Sequence, residues 1–210
     1  MDFFLECCCT DVEQIRRAQA AGARRIELCE DLSVGGVSPS QELLEAAISV
    51  ATVPVNVLVR PRGGDFVFNE AEADSMLRDI ERCRRAGAAA VVIGALDGRG
   101  DVDMPLMRRL CDAASGMEVT FHRAFDVCAD PHSAFGDVLS LGCDRLLTSG
   151  HEADAYRGRF LIAELVERAA GRIIVMPGCG VRRNNIARIA EDTGAAEFHA
   201  SFVFFAGDHQ

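Results

Sequence analysis

The sequence predicts an α/β protein, a TIM-type (β/α)8 barrel formed by one domain over residues 1–210 that lacks the last outer helix. Short apolar runs rich in Val, Ile and Leu alternate with longer amphipathic stretches, as in βα units repeated around a parallel sheet. About eight such runs occur, the number that a TIM barrel needs. An open doubly wound sheet is the alternative, but the chain has no dinucleotide-binding fingerprint. The predicted strands are residues 3–8, 25–29, 54–60, 90–96, 118–125, 144–148, 172–176 and 197–202.

The stretches between these strands carry the signals of helix boundaries. Thr10 with Glu13 three residues later predicts a capping box, and Ser40 precedes an apolar run. Glycine at a helix end favours a left-handed C-terminal cap, because it has no Cβ. Such glycines are Gly22, Gly87, Gly142, Gly171 and Gly194. We therefore expect a helix after each strand except the last.

The outer ring of this barrel is predicted to be incomplete. Only about eight residues follow the last predicted strand, too few for an eighth helix of the usual length. Either the sequence is a shortened piece, or another subunit covers the first and last strands, or the last strand is misassigned. We expect a homo-oligomer, most simply a two-fold dimer, that buries this flank.

Composition argues against several classes of function. The formal net charge is −10 at pH 7, so nucleic acid and anionic membranes are not expected partners. All 22 basic residues are Arg, which leaves no lysine amine for Schiff-base catalysis. No apolar run approaches the roughly 20 residues of a membrane span. Near the start, acidic Asp2 and Glu6 replace a basic leader, and nine Cys without a CxxC pair are typical of reduced thiols. We expect a cytoplasmic protein.

Strand alternation predicts a polar barrel interior. Side chains two apart on a strand share a face, and the apolar set belongs under the helices. The inward set is then Glu6 and Cys8, Glu27 and Cys29, Asn56 and Arg60, Thr120 and His122, and Glu197, His199 and Ser201. Charged groups are rarely buried unless they are paired, so this interior indicates a functional site. A satisfied buried salt network is the alternative interpretation.

Three segments fall where loops at the carboxyl ends of barrel strands build active sites. RPRGGDF, residues 60–66, offers Arg60 and Arg62 for an anion. TFHRAFD, residues 120–126, offers His122 as an acid or base. MPGCGV, residues 176–181, is expected to lead into a helix whose free N–H groups bind phosphate or carboxylate.

These segments, together with RIELCEDLSVGGVSPS (25–40) and LTSG (147–150), resemble the CutC family of copper homeostasis proteins. The resemblance runs from Leu5 to Ser201 and implies a TIM-like barrel, a role in intracellular copper handling and assembly into dimers or larger oligomers. It also implies Cys8 and Cys29 as thiol ligands of copper. Cys179 departs from the family, where another Gly is common, and the usual segment beyond the last strand is missing.

Two functions follow from these observations, with a purely structural role as a third. The first is binding of a copper ion, Cu(I), by the soft thiolates of Cys8 and Cys29. The second is catalysis on a small anionic ligand, perhaps phosphorylated, with Glu6, Glu27 or His122 as the acid or base. The residues assigned to binding that ligand are Arg60, Arg62, Asp65, Arg123, Asp126, Thr148, Ser149, Gly178, Gly180, His199 and Ser201.

Overall fold

A computed structural model describes residues 3–205, and Asp2 lies outside that range. Eight strands form in this part of the chain, each near a predicted position. The third, fourth and fifth predicted strands were too long, because the chain leaves the sheet after Leu58, Ile93 and Phe121. The strands are β1 Phe4–Cys9, β2 Arg25–Leu28, β3 Val55–Leu58, β4 Ala90–Ile93, β5 Glu118–Phe121, β6 Arg145–Thr148, β7 Ile174–Pro177 and β8 Glu197–Ser201.

The strands build a nearly closed parallel barrel. Their order is β7-β6-β5-β4-β3-β2-β1-β8, and every hydrogen-bonded pair is parallel. β7 also lies against β8, which brings the two ends of the sheet together. The predicted (β/α)8 barrel is therefore confirmed, and the open doubly wound sheet is excluded.

An α-helix follows each of the first seven strands in the described range, and none follows β8 there. The capping prediction at Thr10 was wrong: β1 continues to Cys9, and the Asp11 side chain caps the first helix by accepting from the Gln14 N–H. Ser40 caps the second helix as predicted. The helices are α1 Val12–Ala20, α2 Gln41–Val50, α3 Glu70–Ala86, α4 Met104–Ala113, α5 Pro131–Ser140, α6 Arg159–Ala169 and α7 Ile186–Thr193.

Strand alternation divides the core into two layers. Cys7 and Cys9 on β1 belong to the large apolar layer between the sheet and the helices. Cys8 faces the other way and packs with Cys29, Leu58 and Val92 inside the barrel. The predicted faces of β1 are therefore confirmed.

Aromatic side chains partly cover the flank where the described residues form no outer helix. A short 3₁₀ turn at Phe202–Phe204 follows β8 and contacts β1 and β8. Phe204 and Phe205 are buried there, and the Arg183 Nε donates to the Phe204 carbonyl over 2.9 Å. Val203 stays 66% exposed beside them, so an apolar surface remains at this flank. Among the described helices, all are too short or too polar to cross a bilayer.

Candidate functional site in the barrel cavity

A layer of ion pairs fills the barrel towards the amino ends of the strands. The Arg25 guanidinium donates to Glu6 Oε2 over 2.5 Å and to Glu197 Oε2 over 2.7 Å. Arg145 joins the same Glu197 oxygen at 3.1 Å and reaches Glu118 Oε2 at 2.6 Å. Glu6 and Glu197 are thus both paired with arginine, and this layer matches the salt-network interpretation of the barrel interior.

His199 lies between two buried carboxylates. Its Nδ1 is 2.8 Å from Glu6 Oε1 and 3.1 Å from Glu27 Oε2. Burial acts to raise the pKa of Glu6, but His199 and Arg25 together lower that pKa to about 2. Burial raises the pKa of Glu27 to about 7, because Glu27 has less help from neighbouring cations. Burial opposes the charge on His199, yet Glu27 and Glu6 raise its pKa above the ordinary value.

The predicted thiol pair is present. The Sγ atoms of Cys8 and Cys29 lie 3.5 Å apart, and both side chains are buried. The hydrogen bond to Cys29, together with burial, raises the pKa of the Cys8 thiol well above its usual range. Both cysteines face the barrel interior, as the alternation of β1 and β2 predicted.

His122 presents an unpaired donor to the same interior. Its Nδ1 accepts the N–H of Ala124 over 3.2 Å, so the ring proton of the neutral imidazole is on Nε2. That Nε2 is buried and finds no hydrogen-bond partner among the described residues. Burial and the charge of Arg60 lower the pKa of His122 to about 3, so the ring stays neutral. Gly94 makes room for it, since a Cβ there would lie 2.5 Å from Nδ1.

A cavity of about 490 Å³ opens above these groups at the carboxyl ends of the strands. Its lining combines thiol, carboxylate and imidazole groups with aliphatic side chains. The predicted site residues that line it are Cys8, Glu27, Cys29, Arg60, His122, Arg123, Asp126, Gly180, His199 and Ser201. Glu6 lies just behind His199 and does not reach the cavity wall.

Arg60 lines the cavity, but its Nη donors form hydrogen bonds to backbone carbonyls of the protein. Nη1 donates to the carbonyls of Val34 and Gly36, and Nη2 donates to that of Gly64 over 2.7 Å. The guanidinium also stacks over Phe66, with its central carbon 4.6 Å from the ring centroid. Arg60 therefore fastens the loops after β2 and β3, and only its buried Nε lacks a partner in the described chain.

Arg62 and Asp65 do not reach the cavity. Arg62 Nε donates to Glu72 Oε1 over 2.6 Å, and its Nη2 lies 3.0 Å from Asp65 Oδ1. The Asp65 side chain is 69% exposed. The pair turns outwards to α3, because Glu72 completes the capping box of that helix with Asn69. Neither of these two predicted site residues lines the cavity.

Asp126 organises the loop after β6. It accepts the Thr148 hydroxyl in a short hydrogen bond and the Ser149 N–H over 2.9 Å. Thr148 and Ser149 are fully buried and support the rim without lining the cavity. Arg123 pairs with Asp126 through a 2.7 Å contact and keeps its side chain 44% exposed at the cavity wall.

The glycine loop after β7 differs from its prediction. Gly178 packs tightly, since a Cβ there would meet Leu147 at 2.4 Å. The expected helix does not follow directly: a turn intervenes, and α7 begins at Ile186. The Asn185 side chain accepts the Arg182 N–H, so this backbone donor is already used. Binding of an anion at the start of this helix stays a prediction.

The sequence analysis did not predict several residues of the site. Arg25 and Arg145 continue the inward faces of β2 and β6, so strand alternation could have found them two residues before Glu27 and Leu147. Other lining residues lie in loops, where no periodic signal exists. They are Leu32, Val34, Gly35, Phe66, Val127, Cys179, Val181 and Arg182.

Comparison with known proteins identifies the family. The model of the CutC family matches residues 3–204. A family protein CutC from Parabacteroides distasonis is 52% identical over 202 residues, which are 96% of this chain and 83% of the relative. One from Xylella fastidiosa is 50% identical over 197 residues, or 94% of this chain and 74% of the relative.

Solved structures agree with this match. A Streptococcus agalactiae protein provisionally named copper homeostasis protein CutC superposes with a TM-score of 0.89 at 32% identity, covering 95% of this chain and 98% of that one. Thiamine phosphate pyrophosphorylase from Pyrococcus furiosus reaches a TM-score of 0.65 at 15% identity, over 99% of this chain and 89% of its own, and shares the fold alone. The chain belongs to the CutC family.

Proposed function

We propose that this protein serves copper homeostasis in the cytoplasm by binding one Cu(I) ion between Cys8 and Cys29. The observation that carries the proposal is the 3.5 Å separation of the two sulfurs in the wall of the cavity. Soft thiolates are preferred ligands of Cu(I). Reduced thiols persist in the cytoplasm, and the nine cysteines are all free.

The distance suits a shared ion. With metal–sulfur bonds of about 2.3 Å, sulfurs 3.5 Å apart subtend an angle of roughly 100° at the metal. A linear arrangement needs about 1 Å more, which a small rotation of either cysteine supplies. Leu58 and Val92 pack beside the thiols, so the ion would sit against apolar groups that do not compete for it.

Anaerobic Cu(I) titration against a coloured chelator tests this proposal. We expect one Cu(I) per chain, and we expect Cys8→Ser and Cys29→Ser each to weaken the affinity by at least about 100-fold, since one thiolate replaces two. Cys111→Ser is the matched control, because Cys111 lies on α4 outside the cavity. Equal binding by all three variants would refute the proposal.

A second candidate is catalysis on a small anionic metabolite, favoured by His122, which lines the cavity and whose buried Nε2–H has no partner in the described chain. A neutral imidazole can donate a hydrogen bond to a substrate oxygen, and Glu27, with its pKa raised to about 7, can take a proton. Arg123 and Arg182 line the same cavity and supply positive charge for the anion. The chemistry cannot pass through a Schiff base, since no lysine exists.

Thermal-shift measurements with a set of phosphorylated and carboxylated metabolites test this candidate, because a ligand stabilises the state that it binds. We expect a stabilising anion whose effect decreases in Arg182→Gln and in His122→Phe. Arg188→Gln, on the outer face of α7, is the control for lost surface charge. If no anion stabilises the wild type, the proposed catalysis on an anionic metabolite is refuted.

A further inference from the structure

A second set of metal donors lies at the cavity floor and shares one atom with the thiol pair. A ligand atom from each of Cys8, Glu27 and His199 lies within 4.8 Å of the other two. All three residues line the cavity. A tetrahedral ion with bonds of about 2.0–2.3 Å holds its donors about 3.5 Å apart, so shifts of roughly 1 Å would bring these atoms into place.

We propose that Cys8, Glu27 and His199 form a site for a divalent ion of the Zn²⁺ class, with a further coordination position open to the cavity. The proposal goes beyond Cu(I) binding, because it uses a different donor set and does not need Cys29. A mixed sulfur, oxygen and nitrogen set suits Zn²⁺, whereas Mg²⁺ and Ca²⁺ take oxygen ligands and Cu(I) takes soft sulfur.

The surroundings of His199 match those of a metal ligand. Its Nδ1 lies 2.8 Å from Glu6 Oε1 and 3.1 Å from Glu27 Oε2, so an ion that takes Glu27 leaves Nδ1 to Glu6 and would be bound through Nε2. Metal-binding histidines usually donate their other ring nitrogen to a carboxylate in this way. Glu6 is itself held by Arg25 over 2.5 Å and by the Asn56 amide over 3.1 Å, so this second carboxylate is fixed in place.

The charges are also balanced for a divalent ion. Ionised Cys8 and Glu27 together supply two negative charges, and the charge of Glu6 is already matched by Arg25. Glu27 is not matched in this way, because His199 is its only cationic contact within 4 Å in the described chain. An ion bound here would therefore satisfy a buried carboxylate that the protein leaves incompletely paired.

Co²⁺ is the probe, because a cobalt–thiolate bond gives a charge-transfer band in the near ultraviolet, and Zn²⁺ competition reports affinity. We expect one Co²⁺ per chain, displaced by Zn²⁺. Cys8→Ser, Glu27→Gln and His199→Gln should each weaken the affinity by at least about 100-fold, and Glu6→Gln by about 10–100-fold. Cys29→Ser should keep the band, because Cys8 still supplies the thiolate, and Cys111→Ser, outside the cavity, should leave both the band and the affinity unchanged.

The outcome separates this site from the copper site. His199→Gln should weaken Co²⁺ binding and retain Cu(I) binding, whereas Cys29→Ser should weaken Cu(I) binding and keep the cobalt–thiolate band. Because the variants alter a buried network, their folding is checked by circular dichroism, and wild-type protein provides a test without substitution. Preloading with Cu(I) should block Co²⁺, since Cys8 serves both ions. No Co²⁺ binding by the wild type, or a band that survives His199→Gln, would overturn the proposal.

Discussion

Arg25 Nε lies 2.5 Å from Glu6 Oε2, and the two side chains are only 3% and 1% exposed. The same guanidinium reaches Glu197 at 2.7 Å, so one cation joins carboxylates from β1 and β8. The contact therefore ties together β1 and β8, the two strands at the flank where no described helix lies. The same ion pair fixes Glu6, and Glu6 in turn contacts His199. An ion pair that stabilises the barrel therefore also positions a side chain at the cavity floor.

Replacing this cation should destabilise the protein strongly. We expect Arg25→Met to lower the free energy of unfolding by about 3–5 kcal/mol, because it leaves Glu6 and Glu197 buried without their shared partner. Urea denaturation measures the change. Arg85→Met provides the control: Arg85 is 77% exposed and its pair with Glu81 should be worth less than about 1 kcal/mol. Equal losses in the two variants would contradict this account.

The buried pair Glu27 and His199 should make the protein less stable as pH rises. The pKa of Glu27 is raised from 4.5 to about 7, and the pKa of His199 is raised above 6.5. In both cases the folded state keeps a proton that the unfolded chain has lost. Stability present at low pH is therefore lost as pH rises, between 4.5 and about 7 for Glu27 and above 6.5 for His199.

Comparison with Glu27→Gln tests this effect, and it also removes the part of the raised His199 pKa that Glu27 causes. His122 acts in the opposite direction, because its pKa is lowered from 6.5 to about 3, but it contributes to both proteins. Between pH 4.5 and 7 the variant should gain on the order of 2–3 kcal/mol of unfolding free energy relative to wild type. Urea denaturation at a series of pH values checks this. A difference between the two proteins that does not vary with pH would show that Glu27 titrates normally.

Arg60 should stabilise the cavity rim by holding the loops after β2 and β3 together. Its three donated hydrogen bonds to Val34, Gly36 and Gly64 need the forked guanidinium, which lysine cannot reproduce. We expect Arg60→Lys to cost about 2 kcal/mol and to speed amide hydrogen exchange in residues 31–36. Arg62→Lys, in the same loop but outside the cavity, should leave that exchange unchanged. Equal exchange rates in both variants would argue against this role.

We also predict a homo-oligomer that buries the flank beside β8. Val203, 66% exposed next to Phe204 and Phe205, offers apolar surface for a symmetric contact. Light scattering at micromolar concentration should give the mass of a dimer or larger assembly. Val203→Asp should shift the protein towards monomer, because a buried carboxylate at the contact lacks a partner. A monomeric wild type would contradict the prediction.

Alternation along strands explains which features the sequence could predict. Glu6, Cys8 and Glu27 lie on short buried strands and Cys29 directly follows one, so a period of two assigns each side chain to a face. Arg62 had no such constraint. Its segment is a loop. The side chain turns outwards and donates to Glu72, which lies in the first turn of α3, the helix that follows.

Contacts between distant segments lay beyond sequence periodicity. Arg60 sits at the predicted end of a strand, but its acceptors are backbone carbonyls of two loops, and backbone groups carry no signature in the sequence. The tautomer of His122 depends on the N–H of Ala124, which the chain presents only after it turns out of β5. Local propensity cannot specify such pairings, because they depend on where the folded loops meet.

X-ray absorption at the copper edge of the Cu(I)-loaded wild type tests the central claim most directly, since it reports the atoms bound to the metal. Two sulfur ligands per copper are expected, and only one after Cys29→Ser, because Cys8 and Cys29 each contribute one thiolate. A first shell made of nitrogen and oxygen, or a sulfur count that Cys29→Ser leaves unchanged, would contradict the assignment of copper to this thiol pair.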